Sequence, residues 1–591
     1  MSWTRYATLN AAALALTIVA TQQGWVGATG EVPASIVRKY LPFALFAASL
    51  ATALVAWRLP LARRPRFLAR HFGLYAAAPL LLFVLSRNVE PAQAVLGAIY
   101  LGAIGLWTLH ALEGLAHVIA NLEDRIAART LAAVMLVPFL SLMPYERAVM
   151  PTASDEPHYL VIVQSLIDRH SLDLTATYDD PRIYQPYYPD VLPDRHIIQV
   201  GDAQYPIRDL GLPLLAVLPF AVAGRSGVLV LLCLVGAALV AQLYLACRDL
   251  RIAYRPALLG VAGASLTHPL LTYTTQIYPE LLAALAFVLA ARLLRRGRAA
   301  SLGELAGASA CVGVLPWLST RAWLIAIGVG LVVAYCAIRP IERPTVAALG
   351  RRVAAGAGPF ALLVLALATL DYRMFGVFIP NAGYYLIRDQ QQVLAFAPQI
   401  GGLGLLFDKV FGLIPRTPLF LLSALGVIPL LRRARGSELA ALGLGWLVYF
   451  VYVADVAYWW ADGSPPSRYL VASLPFLAVL LAAGIERIDQ LGRWRPIAEF
   501  AAWALAAYSL FIAYVFAVLP NLRYDLALEI RSSGSDGQLF EFLGRVLRPD
   551  PAIAFPSLVH ARPSDLLLGV AWLAIVLVLG ALGAGRAAPE T

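Results

Sequence analysis

Residues 131–159 read LAAVMLVPFLSLMPYERAVMPTASDEPHY. An apolar run over 131–146 gives way to Ser154-Asp155-Glu156-Pro157-His158-Tyr159, where two acids stand side by side. The next stretch, 157–169, has helical amphipathic spacing. Leu160, Val163, Leu166 and Ile167 make one face, and Gln164, Asp168 and Arg169 make the other. A membrane span, an acidic pair and a helix suited to lie in the interface therefore follow one another directly.

The rest of the chain supports the first part of that reading. Of 591 residues, 60% are hydrophobic and 14% are charged, and the mean hydropathy is +0.71. Soluble domains carry close to twice that charged fraction. A chain this apolar has too little polar surface to cover itself in water, so a multispanning membrane protein is expected. Apolar runs fall at 6–24, 39–57, 72–86, 93–111, 131–146, 227–247, 257–272, 279–294, 302–316, 322–338, 353–371, 417–431, 438–455, 469–485, 498–518 and 564–583. They predict an all-α, polytopic fold of about sixteen spans.

The net charge of +10 is explained by where the arginines fall. Every second loop is basic: Arg58, Arg63, Arg64, Arg66 and Arg70 follow the second run, and Arg125 and Arg129 the fourth. Arg248, Arg251 and Arg255 follow the sixth, and Arg295, Arg296 and Arg298 the eighth. Arg339, Arg343, Arg351 and Arg352 follow the tenth, Arg432, Arg433 and Arg435 the twelfth, Arg487, Arg493 and Arg495 the fourteenth, and Arg586 the last. Such alternation places the N-terminus and these loops in the cytoplasm. No basic run is interleaved with aromatics, so a nucleic-acid partner is not expected. Cys233, Cys247, Cys311 and Cys336 all fall in apolar segments, as small core residues do.

The long loops 147–226, 372–416 and 519–563 are then extracytoplasmic. Within the first, 206–224 is apolar but holds Pro206, Pro213 and Pro219, and counting it as a span would invert the later arginine pattern. It is expected to lie in the outer interface and to end near Gly224-Arg225. The chain divides into added helices at 1–130, a core at 131–520 with outer loops 147–226 and 372–416, and a last outer loop and span at 521–591.

Ionisable residues at the outer ends of spans are the informative ones, because charge near a bilayer interior is costly. Asp155 alone would serve as a helix cap before Pro157. A second acid, Glu156, goes beyond capping and allows base and positioning roles to be divided. Glu280 opens a span in Gln276-Ile277-Tyr278-Pro279-Glu280, where it either favours the helix dipole or faces a cavity. Arg321, in Pro316-Trp317-Leu318-Ser319-Thr320-Arg321, lies on the outer side against the sign rule, and either snorkels to headgroups or binds phosphate. Arg468 follows the aromatic stretch Tyr458-Trp459-Trp460 and precedes a helix start, a place that favours an anion. Arg416 precedes another such start. His158, Tyr159, Tyr278, Trp460 and Tyr469 stand beside these groups as candidate substrate-binding residues. His158, His196 and His268 have no metal-ligand spacing and read as unrelated.

These clusters, in this order, resemble the GT-C superfamily of membrane glycosyltransferases, which includes protein O-mannosyltransferases and lipid A aminoarabinose transferases. The similarity covers about 131–520. It rests on Asp155-Glu156-Pro157-His158-Tyr159, Gly211-Leu212-Pro213, Tyr278-Pro279-Glu280-Leu281, Pro316-Trp317-Leu318 and the segment Ser464 to Tyr469. The four leading spans are extra relative to shorter members, and Glu280 stands where many have Asp. The resemblance implies a polyprenyl-phosphate-linked sugar as donor and a glycan, lipid or protein hydroxyl as acceptor. It also implies a bacterial inner membrane location with the site on the extracytoplasmic side. Asp155 is then the catalytic base, with Glu156 and Glu280 beside it. No cofactor is required, and a divalent cation is compatible with the chemistry.

The expected reaction is a single displacement with inversion through an oxocarbenium-like transition state. Arg468, with Arg321 or Arg416, holds the donor phosphate, and Asp155 takes the acceptor proton. Two other classes compete. A transporter or flippase should put ionisable groups at mid-membrane and show repeats or broken helices in matching halves. An assembly protein would use its outer loops only to dock a partner.

Overall fold

The computed structural model describes residues 112, 114–190, 192, 195–341, 344–386, 394–433, 436–461, 463–546 and 550–584. The first four expected spans, Asp462 and the tail 585–591 lie outside the described residues. The longer helices are α1 (Asp124–Val149), α2 (Glu156–Arg169), α3 (Gly211–Asp249), α4 (Tyr254–Ser265), α5 (Glu280–Leu293), α6 (Leu302–Leu318), α7 (Trp323–Ile338) and α8 (Val346–Phe375). They continue with α9 (Pro398–Phe407), α10 (Leu422–Arg433), α11 (Ser437–Asp455), α12 (Leu474–Ile488), α13 (Arg495–Val518), α14 (Gln538–Val546) and α15 (Pro563–Ala584).

The protein is an α-helical integral membrane protein. Seven described segments are long and apolar enough to cross a bilayer: α1, α3, Thr320–Ile338, α8, α11, Gly492–Val518 and α15. The runs expected at 257–272, 279–294, 417–431 and 469–485 form shorter helices, α4, α5, α10 and α12, of 12, 14, 12 and 15 residues. Each is unwound at the end read as outer, where Pro269, Pro279, Pro418 and Pro475 stand near polar residues. Non-helical backbone at such depth is tolerated where protein buries it, and these ends are buried.

The four short helices sit inside the bundle. α12 packs on α4 and α10, α1 on α3, α6 on α8, and α7 on α11. Small residues let backbones approach closely, since lipid tails give no hydrophobic drive between helices. A Cβ added at Gly484 of α12 would lie 1.9 Å from the Leu422 carbonyl oxygen of α10. Gly484→Ala is therefore expected to destabilise the bundle by about 1–3 kcal/mol, the usual cost of overpacking. Gly580→Ala in α15, where the nearest atom is 3.8 Å away, should leave thermal unfolding in detergent unchanged. Equal melting of the two variants would refute this account of the packing.

The segment 206–224 behaves as its prolines suggest. α3 begins at Gly211 with Leu214, Leu215, Leu218 and Val222 exposed, then breaks at Ala223 and Gly224. Gly224 has φ +57° and ψ −145°, a backbone that side chains disfavour. After the kink α3 turns into the bundle. Arg225 donates to the Met150 carbonyl at 2.7 Å and Arg147 to Ser226 at 2.8 Å, fixing the kink to the end of α1.

One element departs from the all-α expectation. β1 (Ile197–Val200) and β2 (Ala203–Pro206) form an antiparallel hairpin around Gly201-Asp202, with Ile197 opposite Pro206 and Val200 opposite Ala203. Gly201 takes φ +59°, as a two-residue hairpin turn demands.

Contacts between loops sort them into two groups, as the arginine alternation requires. At one end Arg433 reaches the Arg251 carbonyl, Arg298 the Arg339 carbonyl and Arg352 the Ala300 carbonyl. At the other end the loops holding Asp155, Arg208, Glu280, Thr320, Asn381 and Arg468 join.

Candidate active site

Asp155 precedes α2, whose first two turns are buried and fix where its side chain points. Its carboxylate is 5% exposed as part of the residue and is gripped from both sides. The Arg208 guanidinium lies 2.5 Å from Oδ1, and Arg468 lies 2.8 Å from Oδ2. Arg468 also donates from Nε to Glu280 Oε1 at 2.7 Å. The result is a chain of alternating charge, Arg208–Asp155–Arg468–Glu280, drawn from the β2 exit, the α2 entry, a short turn at Arg468–Val471 and the start of α5. Buried charges persist when paired this way.

Burial works against ionising Asp155, but Arg208 and then Arg468 outweigh it and hold the carboxyl well below the usual range. Glu280 differs. Its Oε2 is buried and has no hydrogen-bond partner, so it is an acceptor open to an incoming hydroxyl.

Two of the three arginines expected at the phosphate, Arg468 and Arg321, lie over tyrosine rings. Arg468 sits 4.1 Å from the Tyr278 ring centre and Arg321 4.2 Å from that of Tyr469. A guanidinium held over a ring uses its edge for planar, two-pronged contacts, and Arg468 already commits its edge to Asp155 and Glu280. Among the described residues Arg321 makes no ion pair, and its buried Nε has no partner. Tyr159 is buried and within the field of Asp155, Arg208 and Arg468.

Other expected site residues are placed elsewhere or tied down. Glu156 accepts backbone N–H bonds from Ala153 at 3.1 Å and Ile277 at 2.6 Å, one on each oxygen. It binds the acid loop to the turn before Glu280 and has no oxygen left over. Arg416 donates to the carbonyls of Lys409 and Gly412 and lies over Phe540, so it stabilises its own loop rather than joining the Asp155 chain. Trp460 is packed against Tyr458 and Trp459 under the Arg531 guanidinium. His158 stacks on His196, while His268 packs against Phe516 and Thr272. Among the described residues no three of His, Cys, Asp or Glu stand together as a metal site.

Several groups of the site were not singled out from the sequence. Arg208 contacts Asp155 directly, although 206–224 reads as a plain interface helix. Next to it, Asp209 accepts from Asn381 at 2.7 Å, from Thr320 N and Oγ1 at 3.1 and 3.2 Å, and from Tyr384 at 3.3 Å. Burial pushes this carboxyl up to about 7 against those donors. A separate buried pair, Glu146 with Arg523, joins Gln276 and Tyr524. Arg208 and Arg523 stand among many arginines in the loops read as outer, Arg169, Arg182, Arg195, Arg531 and Arg562 among them, so the arginine pattern does not single them out.

Sequence comparison finds no matching protein-family model and no matching curated protein. Solved structures do match. ArnT from Cupriavidus metallidurans bound to undecaprenyl phosphate is 18% identical, with 77% of each chain covered and a TM-score of 0.42. The oligosaccharyltransferase AglB from Archaeoglobus fulgidus, in complex with an inhibitory peptide and a dolichol-phosphate, is 15% identical over 72% of this chain, with a TM-score of 0.39. The chain spans 60% of the length of that archaeal protein.

Proposed function

We propose that this protein is a GT-C-type membrane glycosyltransferase that moves a sugar from a polyprenyl-phosphate donor to an acceptor hydroxyl on the extracytoplasmic side. The observation that carries this reading is the charge chain Arg208–Asp155–Arg468–Glu280, at the end of the bundle opposite the loops that hold Arg298, Arg352 and Arg433. A transporter would carry its ionisable groups at mid-membrane.

The roles follow from charge and contact. Arg468 and Arg321, each backed by a tyrosine, hold the donor phosphate. Asp155 is the general base, and its strength depends on occupancy. With both oxygens engaged by guanidinium groups it is a weak base. A phosphate that draws Arg468 and Arg208 to itself releases the carboxylate next to the anomeric carbon. The acceptor oxygen attacks that carbon, its proton passes to Asp155, and the carbon–oxygen bond to phosphate breaks with its electron pair leaving on phosphate. One displacement inverts the centre. Glu280 keeps Arg468 in place and offers Oε2 to a sugar hydroxyl. Glu156 anchors the loop through the backbone of Ala153 and Ile277.

The test uses purified protein in lipid nanodiscs with radiolabelled polyprenyl-phosphate hexoses and pentoses. Release of polyprenyl phosphate, dependent on an acceptor, is the expected result. Failure of every donor to bind or turn over, together with movement of such lipids across proteoliposomes, would replace the transferase by a flippase.

A further inference from the structure

The reaction leaves a proton on Asp155, and the structure holds a group beside it that the proposed mechanism does not use. His196 immediately precedes β1, and Arg208 follows β2. The hairpin register continues one pair outward, with Ile207 N–H donating to the His196 carbonyl at 3.2 Å. Ile207 is thus the register partner of His196, and Arg208 lies one residue past it, in the bend after β2, from which it reaches His196. Arg208 donates from Nε to His196 Nδ1 at 3.1 Å, and its terminal nitrogen lies 3.0 Å from the same atom. That terminal nitrogen is the one 2.5 Å from Asp155 Oδ1. His196 Nδ1 is itself 3.8 Å from Asp155 Oδ1, and the His196 side chain is 23% exposed.

The chemistry of these contacts is specific. In this contact Nδ1 is the acceptor of the guanidinium N–H, an arrangement that needs the Nδ1 lone pair free of a proton. The ring lies flat on His158, with centres 3.6 Å apart and planes 24° from parallel. His158 in turn meets the Tyr178 hydroxyl at 2.8 Å through Nδ1. Burial and its neighbour His196 keep His158 well below the usual imidazole range, so His158 acts as a neutral platform. The charged groups facing His196 are Asp155 from the α2 entry and Arg208 from the β2 exit. The adjacent pair Arg195–Asp179 lies outside them.

We propose that His196 takes the proton from Asp155 and passes it to water, and that it becomes able to do so when a bound phosphate draws Arg208 off its Nδ1. The inference rests on the transferase reading. The steps balance: the acceptor proton moves to Asp155 Oδ1 and then to His196 Nδ1, giving an imidazolium between Asp155 and the phosphate, and the Nε2 proton leaves to solvent. His196 acts through Asp155 and does not touch the reacting carbon.

The test measures proton uptake on binding undecaprenyl phosphate, by calorimetry at pH 6.5 in buffers of different ionisation enthalpy. His196→Asn is the informative variant, because its side-chain oxygen still accepts from Arg208 but takes up no proton. Wild type is expected to bind with up to about one more proton taken up than His196→Asn, the single site that the variant removes. With a sugar donor, His196→Asn should lower kcat about 10²-fold, the lower end of proton-transfer catalysis, with KM unchanged and free imidazole restoring part of the rate. Equal proton counts in the two proteins overturn the inference alone. Loss of binding in His196→Asn overturns it too, in favour of a purely structural histidine. Wild type that does not bind undecaprenyl phosphate overturns the transferase reading instead.

Discussion

Asp155→Asn is expected to lower kcat about 10³-fold, within the range general-base catalysis supplies, while making the donor bind more tightly. The two effects have one cause. The carboxylate is the base, and in the empty site it is also the anion that satisfies Arg208 and Arg468. Asparagine ends the first role and frees two guanidinium groups for phosphate. Steady-state kinetics with a labelled donor should show kcat and KM falling together. The same variant should melt earlier than wild type without ligand, because two buried cations then face each other, and undecaprenyl phosphate should restore most of the loss. The ion pairing depresses the Asp155 pKa on folding, so its stabilising contribution is present above the unfolded carboxylate range and fades only as acid takes the pH below it. Unchanged kcat in Asp155→Asn would end the assignment of the base.

Arg468→Gln is expected to cost more in stability than any other single change at the site. Arg468 is buried, 7% exposed, and bridges Asp155 to Glu280. Removing one partner of a buried ion pair typically costs about 3–5 kcal/mol, because the remaining charge has no compensation. Here two carboxylates lose it together. Thermal unfolding should fall sharply, and polyprenyl phosphate should no longer raise it. Arg468→Lys is the useful companion: it keeps the charge but loses the fork that lies over the Tyr278 ring. It should recover stability and leave donor affinity low. Recovery of both by lysine would show that charge alone matters there.

The chain's sequence made the broad architecture legible because two physical signals agreed. Apolar runs located helices, and arginines sorted their ends; the described runs all became helices, and the loops assigned to the outer face meet one another. Asp155, Glu280 and Arg468 stand out in the sequence because charge at a span end is rarely idle, and the structure brings the three together. What escaped notice depended on long-range pairing. His196 and Arg208 are twelve positions apart and become neighbours only through a hairpin of four-residue strands, too short to show a pattern in an otherwise helical chain. Arg416 was over-read for the converse reason. A cation before a helix start looks the same in sequence whether it faces a cavity or closes on the carbonyls of its own loop. Glu156 shows the same limit, since one of its oxygens accepts from the Ile277 N–H, 121 positions away.

The shortness of α5 has a consequence for where catalysis happens. Fourteen residues rise about 21 Å, against roughly 30 Å of hydrocarbon in a bilayer. The helix is thus about 9 Å shorter than the hydrocarbon layer, and its two ends, one bearing Arg292 and the other meeting Arg468 at Glu280, cannot both reach headgroups. On the proposed reading, with the arginine end of α5 at the cytoplasmic boundary, the reacting carbon is recessed into the leaflet. The isoprenoid tail need not be hauled upward at all; it is the acceptor that has to reach down.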